Sequence, residues 1–487
     1  MTINRKELLE LCKTNPESVV DLIEKQDRII TELTARIVKL ESRIAELEAR
    51  LNQNSRNSSL PPSMDGFRRA QSPRKKGEKS PGGQKGHKGQ TLEWVEMPDQ
   101  IEVHSVLACE SCGASLEQAE PVKVERRQVH DAEFKIIVTE HQAEHKQCPH
   151  CGQINRGHFP DDVQYPVQYG RNLKALMVYL CIYQLIPYDR IREAIGDIFG
   201  CFISTGTLVN AVRQCSQNLA GVEERIRELL TGAQVLHVDE TGLRVTGVRQ
   251  WLHVASTELL TWYGHHRKRG SQATDAMQIL PKFRGTMIHD FWSPYFRYSS
   301  HHALCNAHLL RELTGISENY GQNWSSQLQD LIREIKRAVD GAREHSGSLC
   351  PSVKSEVLDR YSQILDLGMT ENPLPEFSNP SGKRGRRKQS KARNLLDRCS
   401  KFQNEILSFM LDFSIPFTNN QAERDLRMAK LQQKISGTFR SDNGAVSFCR
   451  IRGFISTVKK NELPVLAALV DAFANTPFTP SSAHRTG

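Results

Sequence analysis

The amino-acid sequence predicts a multidomain protein of the α+β class. Three patterns indicate this class: a heptad repeat near the N-terminus, a strand-like segment with two Cys-x-x-Cys-Gly elements, and a later region in which short apolar strands alternate with helices. At 487 residues the chain is too long for a single hydrophobic core, and about three or four folded units are expected.

Residues 1–51 predict a coiled-coil dimer. Apolar residues recur with heptad spacing at the a positions (Ile23, Ile30, Ile37, Ile44 and Leu51) and the d positions (Leu33, Leu40 and Leu47). Isoleucine at a with leucine at d favours two parallel strands. Arg36 and Arg43 at g can reach Glu41 and Glu48 at e of a partner, a charge match that a helix buried within one chain does not need. We therefore expect a homodimer, or a higher oligomer, through this segment.

Residues 52–92 predict a disordered basic linker. The segment is poor in large apolar residues and rich in Ser, Gly, Pro and Lys, so it cannot bury enough surface to fold alone. From Asn52 to Gln90 there are nine Lys or Arg residues and two acidic residues, although the whole chain, with 65 basic and 56 acidic residues, has a net charge of only +9. This concentration of positive charge indicates contact with a polyanion, with an affinity that falls as salt rises.

Residues 93–160 predict a β-rich zinc-binding unit. The runs IEVHSVL, VKVERRQV and FKIIVTEH alternate as strands do, and each Cys-x-x-Cys element is followed by a glycine that allows the backbone to turn. Four thiolates make a closed tetrahedral site that suits one structural Zn²⁺ ion. The expected ligands are Cys109, Cys112, Cys148 and Cys151. A redox role for one pair is the alternative, and the 35 residues between the pairs exceed the commonest spacing of zinc sites.

Residues 161–230 predict helices that could read DNA. The runs are NLKALMVYLCIYQLI, YDRIREAIGDIFG and STGTLVNAVRQCSQNLA, with a break at Gly200 and Ser204 as the N-cap of the last helix. A helix, a short glycine-containing turn and a second helix form the pattern of a helix-turn-helix. Ordinary packing of helices gives the same pattern, so the sequence leaves both interpretations open.

Residues 231–310 predict the first part of an α/β domain. AQVLHV leads into Asp239, RQWLHVAS and LLTWYG follow, and a helix around 272–280 precedes GTMIHD, which ends on Asp290. In the strand order 3-2-1-4 the first and fourth strands are neighbours. Asp239 and Asp290 would then face each other at the crevice where α/β sheets bind ligands.

Residues 311–400 predict a helical insertion, residues 401–475 the second part of the α/β domain, and residues 476–487 a tail. The insertion contains a basic block from 383 to 393 with seven basic residues and no acid. We expect this block to contact DNA through Lys383, Arg384, Arg386 and Arg387.

Glu423 lies in the first turn of a helix in the second part. Thr418 and Gln421 predict a capping box at its start. Helical spacing predicts an apolar stripe of Ala422, Leu426 and Ala429, and a DNA-binding face of Arg427, Lys430 and Lys434 beside Glu423. The alternative is a solvated glutamate that pairs with Arg427 and is favoured by the helix dipole.

Asp239, Asp290 and Glu423 together indicate metal chemistry. Two carboxylates at neighbouring strand ends and a third on a packed helix can hold two divalent cations, which activate the attacking oxygen and stabilise the leaving oxygen of a phosphodiester. Because both oxygens need stabilisation, two Mg²⁺ ions are expected. The three acids predict a metal-dependent nuclease or strand-transfer site.

The composition argues against a membrane protein. Among the longest apolar runs is ALMVYLCIYQLI, which is shorter than the ~18–20 residues that a membrane span needs. The N-terminal MTINRKELLELCK lacks a secretory apolar region. Twelve cysteines in such a chain favour reduced thiols and metal binding over disulfides, so we expect a cytoplasmic protein.

The chain resembles, almost end to end, the transposases of insertion-sequence family sixty-six (the TnpC type). The resemblance is carried by the zipper, the two Cys-x-x-Cys elements, NSSLPPS, GGQKGHKGQ, HVDETGLRV, CNAHLLREL, KARNLLDRC and IPFTNNQAERDLRMAKLQQKISGTFRS. It implies an RNase H-like catalytic domain whose Asp-Asp-Glu triad is Asp239, Asp290 and Glu423, with the insertion in the 132 residues between the last two. Cys305 and His308 resemble a C-x-x-H element of related transposases that is expected to support the fold.

The activity that this resemblance implies is Mg²⁺-dependent cleavage at the ends of a mobile element and transfer of the 3′-OH into target DNA. The implied partners are double-stranded DNA, as element ends and as target, and accessory proteins encoded by the same element. The implied location is the bacterial cytoplasm, at the nucleoid. The alternatives are a zinc-containing dimeric DNA-binding regulator without catalysis, and an RNase H-like resolvase or nuclease that does not join DNA to a target.

Overall fold

A computed structural model of the chain describes residues 5–58, 92–343, 345, 347–374 and 389–481. The predicted DNA contacts at Lys383, Arg384, Arg386 and Arg387, and most of the predicted linker, lie outside these residues. Among the described residues, no helix combines the length and the apolar character that a membrane span requires.

The elements fall into two groups along the chain, and the first group is mainly helical. It comprises α1 (Arg5–Thr14), α2 (Pro16–Leu51), β1 (His145–Gln147), β2 (Ile154–Arg156), α3 (Arg171–Val178), a π-helical turn (Tyr179–Tyr183), α4 (Tyr188–Phe199), α5 (Thr205–Asn218) and α6 (Ala220–Thr231).

The second group contains a sheet and the helices around it. It comprises β3 (Val235–Val245), β4 (Val248–Ser256), β5 (Thr261–His266), α7 (Ser271–Ala276), β6 (Thr286–His289), a 3₁₀ turn (Ser293–Arg297), β7 (His301–Leu304), α8 (Asn306–Tyr320), α9 (Asn323–Arg343), α10 (Pro351–Glu371), α11 (Lys391–Lys401), α12 (Gln403–Ile406), α13 (Ser408–Leu411), α14 (Asn420–Ser436), α15 (Asp442–Lys460) and α16 (Val465–Phe473).

The long helix α2 confirms the helical part of the coiled-coil prediction. Asn15 caps its start by accepting a hydrogen bond from the Ser18 amide, and Pro16 occupies the first helical position, where a missing N–H costs nothing. The eight predicted a and d side chains are 42–84 % exposed in the single chain. An uncovered stripe of this kind is what a second helix would bury. The dimer itself stays a prediction.

Residues 52–58, at the start of the predicted linker, form a turn that packs against α8; the disordered linker stays a prediction. Asn57 and Ser58 are buried. Asn57 accepts a hydrogen bond from the Asn54 amide and donates one to Glu318 on α8 at 3.0 Å. Gly315 permits this approach, because a Cβ there would lie 2.2 Å from the Asn57 carbonyl oxygen. Polar composition alone does not distinguish a self-bonded turn from a solvated linker.

The predicted β-rich unit contains far less strand than the sequence suggests. Between residues 92 and 170, all of which are described, β1 and β2 are the strands, and they pair with each other. A separate isolated bridge pairs Ala108 with Ser115. The segments 101–107, 122–129 and 134–141 form no ladder. Alternation sets the direction of side chains, but a strand also needs a hydrogen-bonding partner, and pairing is non-local.

The five-stranded sheet confirms the predicted strand order and extends it. Its order is β5-β4-β3-β6-β7, in which β3, β4 and β5 are antiparallel neighbours and β6 is parallel to both β3 and β7. Strand β7 was not predicted. Strand β3 does not stop at Asp239, as the sequence suggested, but continues to Val245 and turns into β4 through Thr246 and Gly247, both with positive φ. That turn is the tight hairpin type that matches strand twist.

Two large hydrophobic cores and a small cluster between β6 and β7 organise the described chain. The first core contains β3 to β5, the helices α3 to α6 before the sheet and the helices α14 to α16 after it, with Met177, Trp262 and Phe454 among its buried residues. The second contains helices α8 to α13, with Trp324 and Tyr361 at its centre. The predicted helical insertion therefore has its own core, whereas the predicted DNA-reading helices pack with the sheet.

The two helices α4 and α5 have the expected break between them. Gly200 ends α4 in the left-handed conformation, and Ser204 caps α5 by accepting a hydrogen bond from the Thr207 amide at 3.1 Å. One face of α5 is buried around Leu208, and the opposite face exposes polar residues such as Arg213. Both interpretations of this segment fit that arrangement, so the helix-turn-helix stays a prediction.

Candidate active site

Asp239 and Asp290 lie across from each other on neighbouring parallel strands. The pairing of β3 with β6 runs to His237 and Ile288, and each aspartate follows two residues later. Backbone amides hold both carboxylates: Asp239 accepts from the Glu240 amide at 2.8 Å, and Asp290 accepts from the Trp292 amide at 3.0 Å. The strand register thus brings together two acids that are 51 positions apart in the chain.

Glu423 approaches these acids from the first turn of α14, which packs against β3. The predicted stripe of Ala422, Leu426 and Ala429 is buried, as expected. The Oε1 atom of Glu423 is also buried, and no hydrogen-bond partner for it occurs among the residues that the structure describes. This oxygen is therefore buried without a hydrogen bond from the described residues, although the Glu423 side chain as a whole is 30 % exposed.

The predicted capping box at the start of α14 is wrong. The N-cap residue is Asn419, and no side chain caps the helix. Gln421 donates instead to Asp425 at 3.1 Å, within the same helix. A capping motif is a local preference, and here tertiary hydrogen bonds outweigh it.

Asn419 fixes α14 against both neighbouring elements. Its Oδ1 lies 2.9 Å from His237 Nδ1, and its Nδ2 donates to the Val238 carbonyl at 2.8 Å, one residue before Asp239. Its backbone amide donates to Cys305 Sγ, at the N-terminus of α8, at 3.1 Å. A single side chain, 2 % exposed, therefore sets where Glu423 lies relative to Asp239.

We predict that Asn419→Ala disturbs both the stability and the geometry of the site. The change leaves His237 and the Val238 carbonyl without partners, so the free energy of unfolding should fall by about 1–3 kcal/mol. A displaced Glu423 should lower the catalytic rate by about 10²-fold. Urea unfolding and single-turnover assays measure these effects, with the exposed neighbour Asn420→Ala as the matched control. Equal behaviour of the two variants would contradict this role.

The electrostatics of the carboxylates favour a bound cation. Burial raises the pKa of Asp239 well above its usual range, and the negative charges of Glu240, Asp290 and Glu423 act in the same direction. A divalent cation would relieve both effects at once. Carboxylate oxygens are the ligands that Mg²⁺ prefers, so the chemistry of these donors fits the predicted metal.

Glu240 is a fourth acid that the sequence analysis did not single out. Its side chain is 2 % exposed and pairs with Arg269 at 2.6 Å, while the Tyr295 hydroxyl donates to it at 2.6 Å. Arg269 lies between the rings of Trp251 and Trp292, at 4.9 and 4.6 Å from their centroids. Burial raises the pKa of Glu240, whereas Tyr295 and Arg269 lower it. The adjacent Asp239 and Glu240 were the signal available in the sequence. The pairing of Glu240 with Arg269 and Tyr295 could not be predicted from the sequence.

Cys305 and His308 lie at the site itself, beside Glu423. His308 Nδ1 is 3.7 Å from Glu423 Oε1, and Arg311 approaches the same oxygen at 3.9 Å. Burial raises the pKa of Cys305 to about 11, against backbone hydrogen bonds that lower it. Burial also lowers the pKa of His308, which favours a neutral imidazole at pH 7. The sequence predicted that Cys305 and His308 only support the fold. In the structure, His308 also lies beside Glu423, the third predicted acid.

The two Cys-x-x-Cys elements form equivalent turns. In each turn the first cysteine carbonyl accepts from the glycine amide, at 2.8 Å for Gly113 and 2.9 Å for Gly152, and both glycines have positive φ. Hydrogen bonds from the backbone of the second cysteine lower the pKa of Cys109 and Cys148 most. Among the described residues, one set of side chains is grouped closely enough to share an ion: Cys305, His308 and Glu423. Within this part of the chain, neither the four cysteines nor the three acids Asp239, Asp290 and Glu423 form such a group. The four-cysteine zinc site stays a prediction.

A basic groove lies along α14 and β3. Arg244, Lys430 and Lys434 line it with Gln433 and Thr438, and its volume is about 390 Å³. Lys430 donates to the Gly242 carbonyl on β3 at 3.4 Å. Burial and the charge of Arg249 lower the pKa of Lys430, whereas the charge of Asp239 raises it. The Lys430 ammonium group therefore lies close enough to interact with Asp239. Arg427, the third predicted DNA contact on α14, is exposed.

A mixed sheet that gathers acidic side chains beside a basic groove is typical of enzymes that act on nucleic-acid backbones. The chain belongs to the family described as Transposase IS66 family, whose model matches residues 166–447. Family membership supports a role in DNA transposition. A second model, described as Family of unknown function (DUF6444), matches residues 13–93. Comparison with curated proteins finds no match.

Proposed function

We propose that the protein cleaves DNA at the ends of a mobile element and joins the resulting 3′-OH to target DNA in an Mg²⁺-dependent reaction. The observation that carries this proposal is the convergence of Asp239, Asp290 and Glu423 on one site in a chain of a transposase family. The strand order supports the RNase H-like fold that the sequence resemblance implies.

The three acids have distinct tasks in this proposal. Asp239 and Asp290 would hold the ions, and Glu423 would complete the second position from α14. Two bound Mg²⁺ ions would supply a polarised attacking oxygen and a stabilised leaving oxygen. Glu240 is paired with Arg269 and Tyr295, so it orients the strand end rather than holding an ion.

DNA phosphates would lie in the basic groove on α14. We predict that Lys434→Ala weakens binding to any DNA sequence and reduces the slope of log K against log [salt] by about 1, because one phosphate contact is lost. Fluorescence anisotropy over a salt series measures this slope. Lys459→Ala is a suitable control, because Lys459 is an exposed lysine of α15 outside the groove. An unchanged slope in Lys434→Ala would place the DNA elsewhere.

The N-terminal half would assemble and guide the enzyme. The exposed stripe on α2 supports a parallel homodimer that holds two DNA ends, with the Arg36 and Arg43 charges facing Glu41 and Glu48 of the other copy. If Ile37→Glu still sedimented as a dimer, this proposal would be wrong. The proposed readers of the element ends are the zinc unit, the α4–α5 segment and the basic segments. Footprinting with a chain that lacks residues 1–165 tests whether sequence-specific binding needs the zinc unit.

The reaction is tested with labelled element-end DNA, supercoiled target and Mg²⁺. Joined product that requires the metal is expected. Cleavage without joining, even after the element's other proteins are added, would instead identify a nuclease. DNA binding without any cleavage would identify a regulator. Co-purification from bacterial cells tests the proposed accessory partners, and fractionation with the nucleoid tests the proposed location.

A further inference from the structure

We propose that Cys305, His308 and Glu423 form a binding site for Zn²⁺, separate in chemistry from the carboxylate site for Mg²⁺ and sharing one ligand with it. The ligand atoms are Cys305 Sγ, a ring nitrogen of His308 and a carboxylate oxygen of Glu423, all within 4.8 Å of one another. They come from the N-terminus of α8 and the first turn of α14, two elements that Asn419 ties together.

The separations suit a single ion after a small contraction. His308 Nδ1 and Glu423 Oε1 are 3.7 Å apart. Two ligands of one tetrahedral zinc ion with bonds of about 2.0–2.1 Å lie about 3.3 Å apart. The Cys-x-x-His spacing at a helix start places both side chains on one side of α8, and Glu423 closes the site from α14. The fourth position is left for water.

Two of the three ligand atoms are buried without the hydrogen-bond partners that buried polar atoms normally have. His308 Nδ1 and Glu423 Oε1 are both buried, and neither has a hydrogen-bond partner among the residues that the structure describes. Buried polar atoms are almost always satisfied, so an unpartnered pair facing each other indicates a missing ligand. One cation satisfies both atoms together.

The third ligand supplies a soft donor atom. Cys305 Sγ is buried and accepts a hydrogen bond from the Asn419 amide at 3.1 Å, and burial keeps the thiol protonated at neutral pH despite the backbone hydrogen bonds that lower its pKa. Zinc binding would form an S–Zn bond and release the thiol proton to solvent. Sulfur and imidazole ligands select Zn²⁺ over Mg²⁺, which prefers oxygen ligands alone. Arg311, at 3.9 Å from Glu423, is the cation that zinc would have to displace.

An ion held at this site would take Glu423 away from the catalytic carboxylates. Zn²⁺ would then inhibit strand transfer in the presence of Mg²⁺. This consequence rests on the proposed function, whereas the existence of the site does not.

Cobalt titration of the full-length, metal-free protein tests the site directly, because Co²⁺ reports thiolate ligands by a charge-transfer absorption band. The four knuckle cysteines also bind such ions, so the comparison is between wild type, Cys305→Ser, His308→Gln and the exposed control Cys350→Ser. Wild type and Cys350→Ser should bind about one equivalent more Co²⁺ or Zn²⁺ than Cys305→Ser. In His308→Gln the affinity for that equivalent should fall by at least about tenfold.

Equal stoichiometry and equal spectra in all four proteins would overturn the proposal. Circular dichroism shows whether Cys305→Ser folds, and if it does not, the partly exposed His308→Gln decides alone. In joining assays, the activity of each protein is normalised to its own zinc-free rate. The zinc concentration that halves this activity should be at least about tenfold higher for His308→Gln than for wild type. An unchanged value would overturn the inhibitory role. Absence of joining under every condition would disprove the proposed function and leave the cobalt result intact.

Discussion

Asp239→Asn should lower the rate of DNA cleavage and joining by at least about 10³-fold, which corresponds to about 4 kcal/mol of transition-state stabilisation. The physical reason is that Asp239 lies near enough to Asp290 and Glu423 to feel both charges, so it would contribute to both ion positions. An amide replaces a charged ligand with a neutral one of the same shape, so DNA affinity should change little. Single-turnover joining and equilibrium DNA binding measure the two quantities separately.

The same substitution should stabilise the metal-free protein at neutral pH. An unfolded aspartate has a pKa near ~3.9, and burial with neighbouring acids raises the pKa of folded Asp239 above that value. Ionisation therefore opposes folding: the penalty is complete above the folded pKa, shrinks as pH falls below that value, and is gone below the unfolded pKa. Thermal unfolding with a chelator present should show a higher midpoint for Asp239→Asn at pH 7 and a smaller difference in acid. Full joining activity in this variant, beside a control at the exposed Asp330→Asn, would refute the assignment.

The second large effect is expected at a buried ion pair behind the site. Lys460 on α15 donates to Asp425 on α14 at 2.9 Å and to the carbonyls of Thr257 and Leu260 at 2.8 and 3.0 Å. Both charged side chains are at most 12 % exposed. Lys460→Met should reduce the free energy of unfolding by about 3–5 kcal/mol, because it leaves a buried carboxylate without its cation.

Urea denaturation of the full chain measures this loss, with Lys459→Met as the matched control. Lys459 is the exposed neighbour, and its replacement should change the free energy of unfolding by less than about 1 kcal/mol. The double variant Asp425→Asn, Lys460→Met should be more stable than Lys460→Met alone, because the unpaired charge is gone. If the two changes simply add, the ion pair is not the source of the stability.

The pair matters for function because Asp425 lies two residues after Glu423 on the same helix. Asp425 also accepts from Gln421, and the Tyr263 hydroxyl on β5 donates to the Asp425 carbonyl at 2.7 Å. These contacts fix the rotation of α14 about its axis. That rotation in turn determines whether the Glu423 side chain faces Asp239. A loosened pair would therefore also lower activity.

The sequence by itself determined the local elements around the acids, whereas the order of the strands rests on non-local pairing. Heptad spacing predicted α2, alternation and breaks predicted β3 to β6, and the stripe of Ala422, Leu426 and Ala429 predicted the buried face of α14. These features depend on periodicity along the chain, which is a local property.

Only the tertiary structure decided which polar groups meet. It turned Asn419 inward instead of forming a capping box, paired Glu240 with Arg269, placed His308 against Glu423 and docked Asn57 on α8. It also left the segments 101–107, 122–129 and 134–141 without strand partners. Hydrogen bonds and ion pairs of this kind join residues tens to hundreds of positions apart, and their energies depend on burial and geometry that no local pattern records.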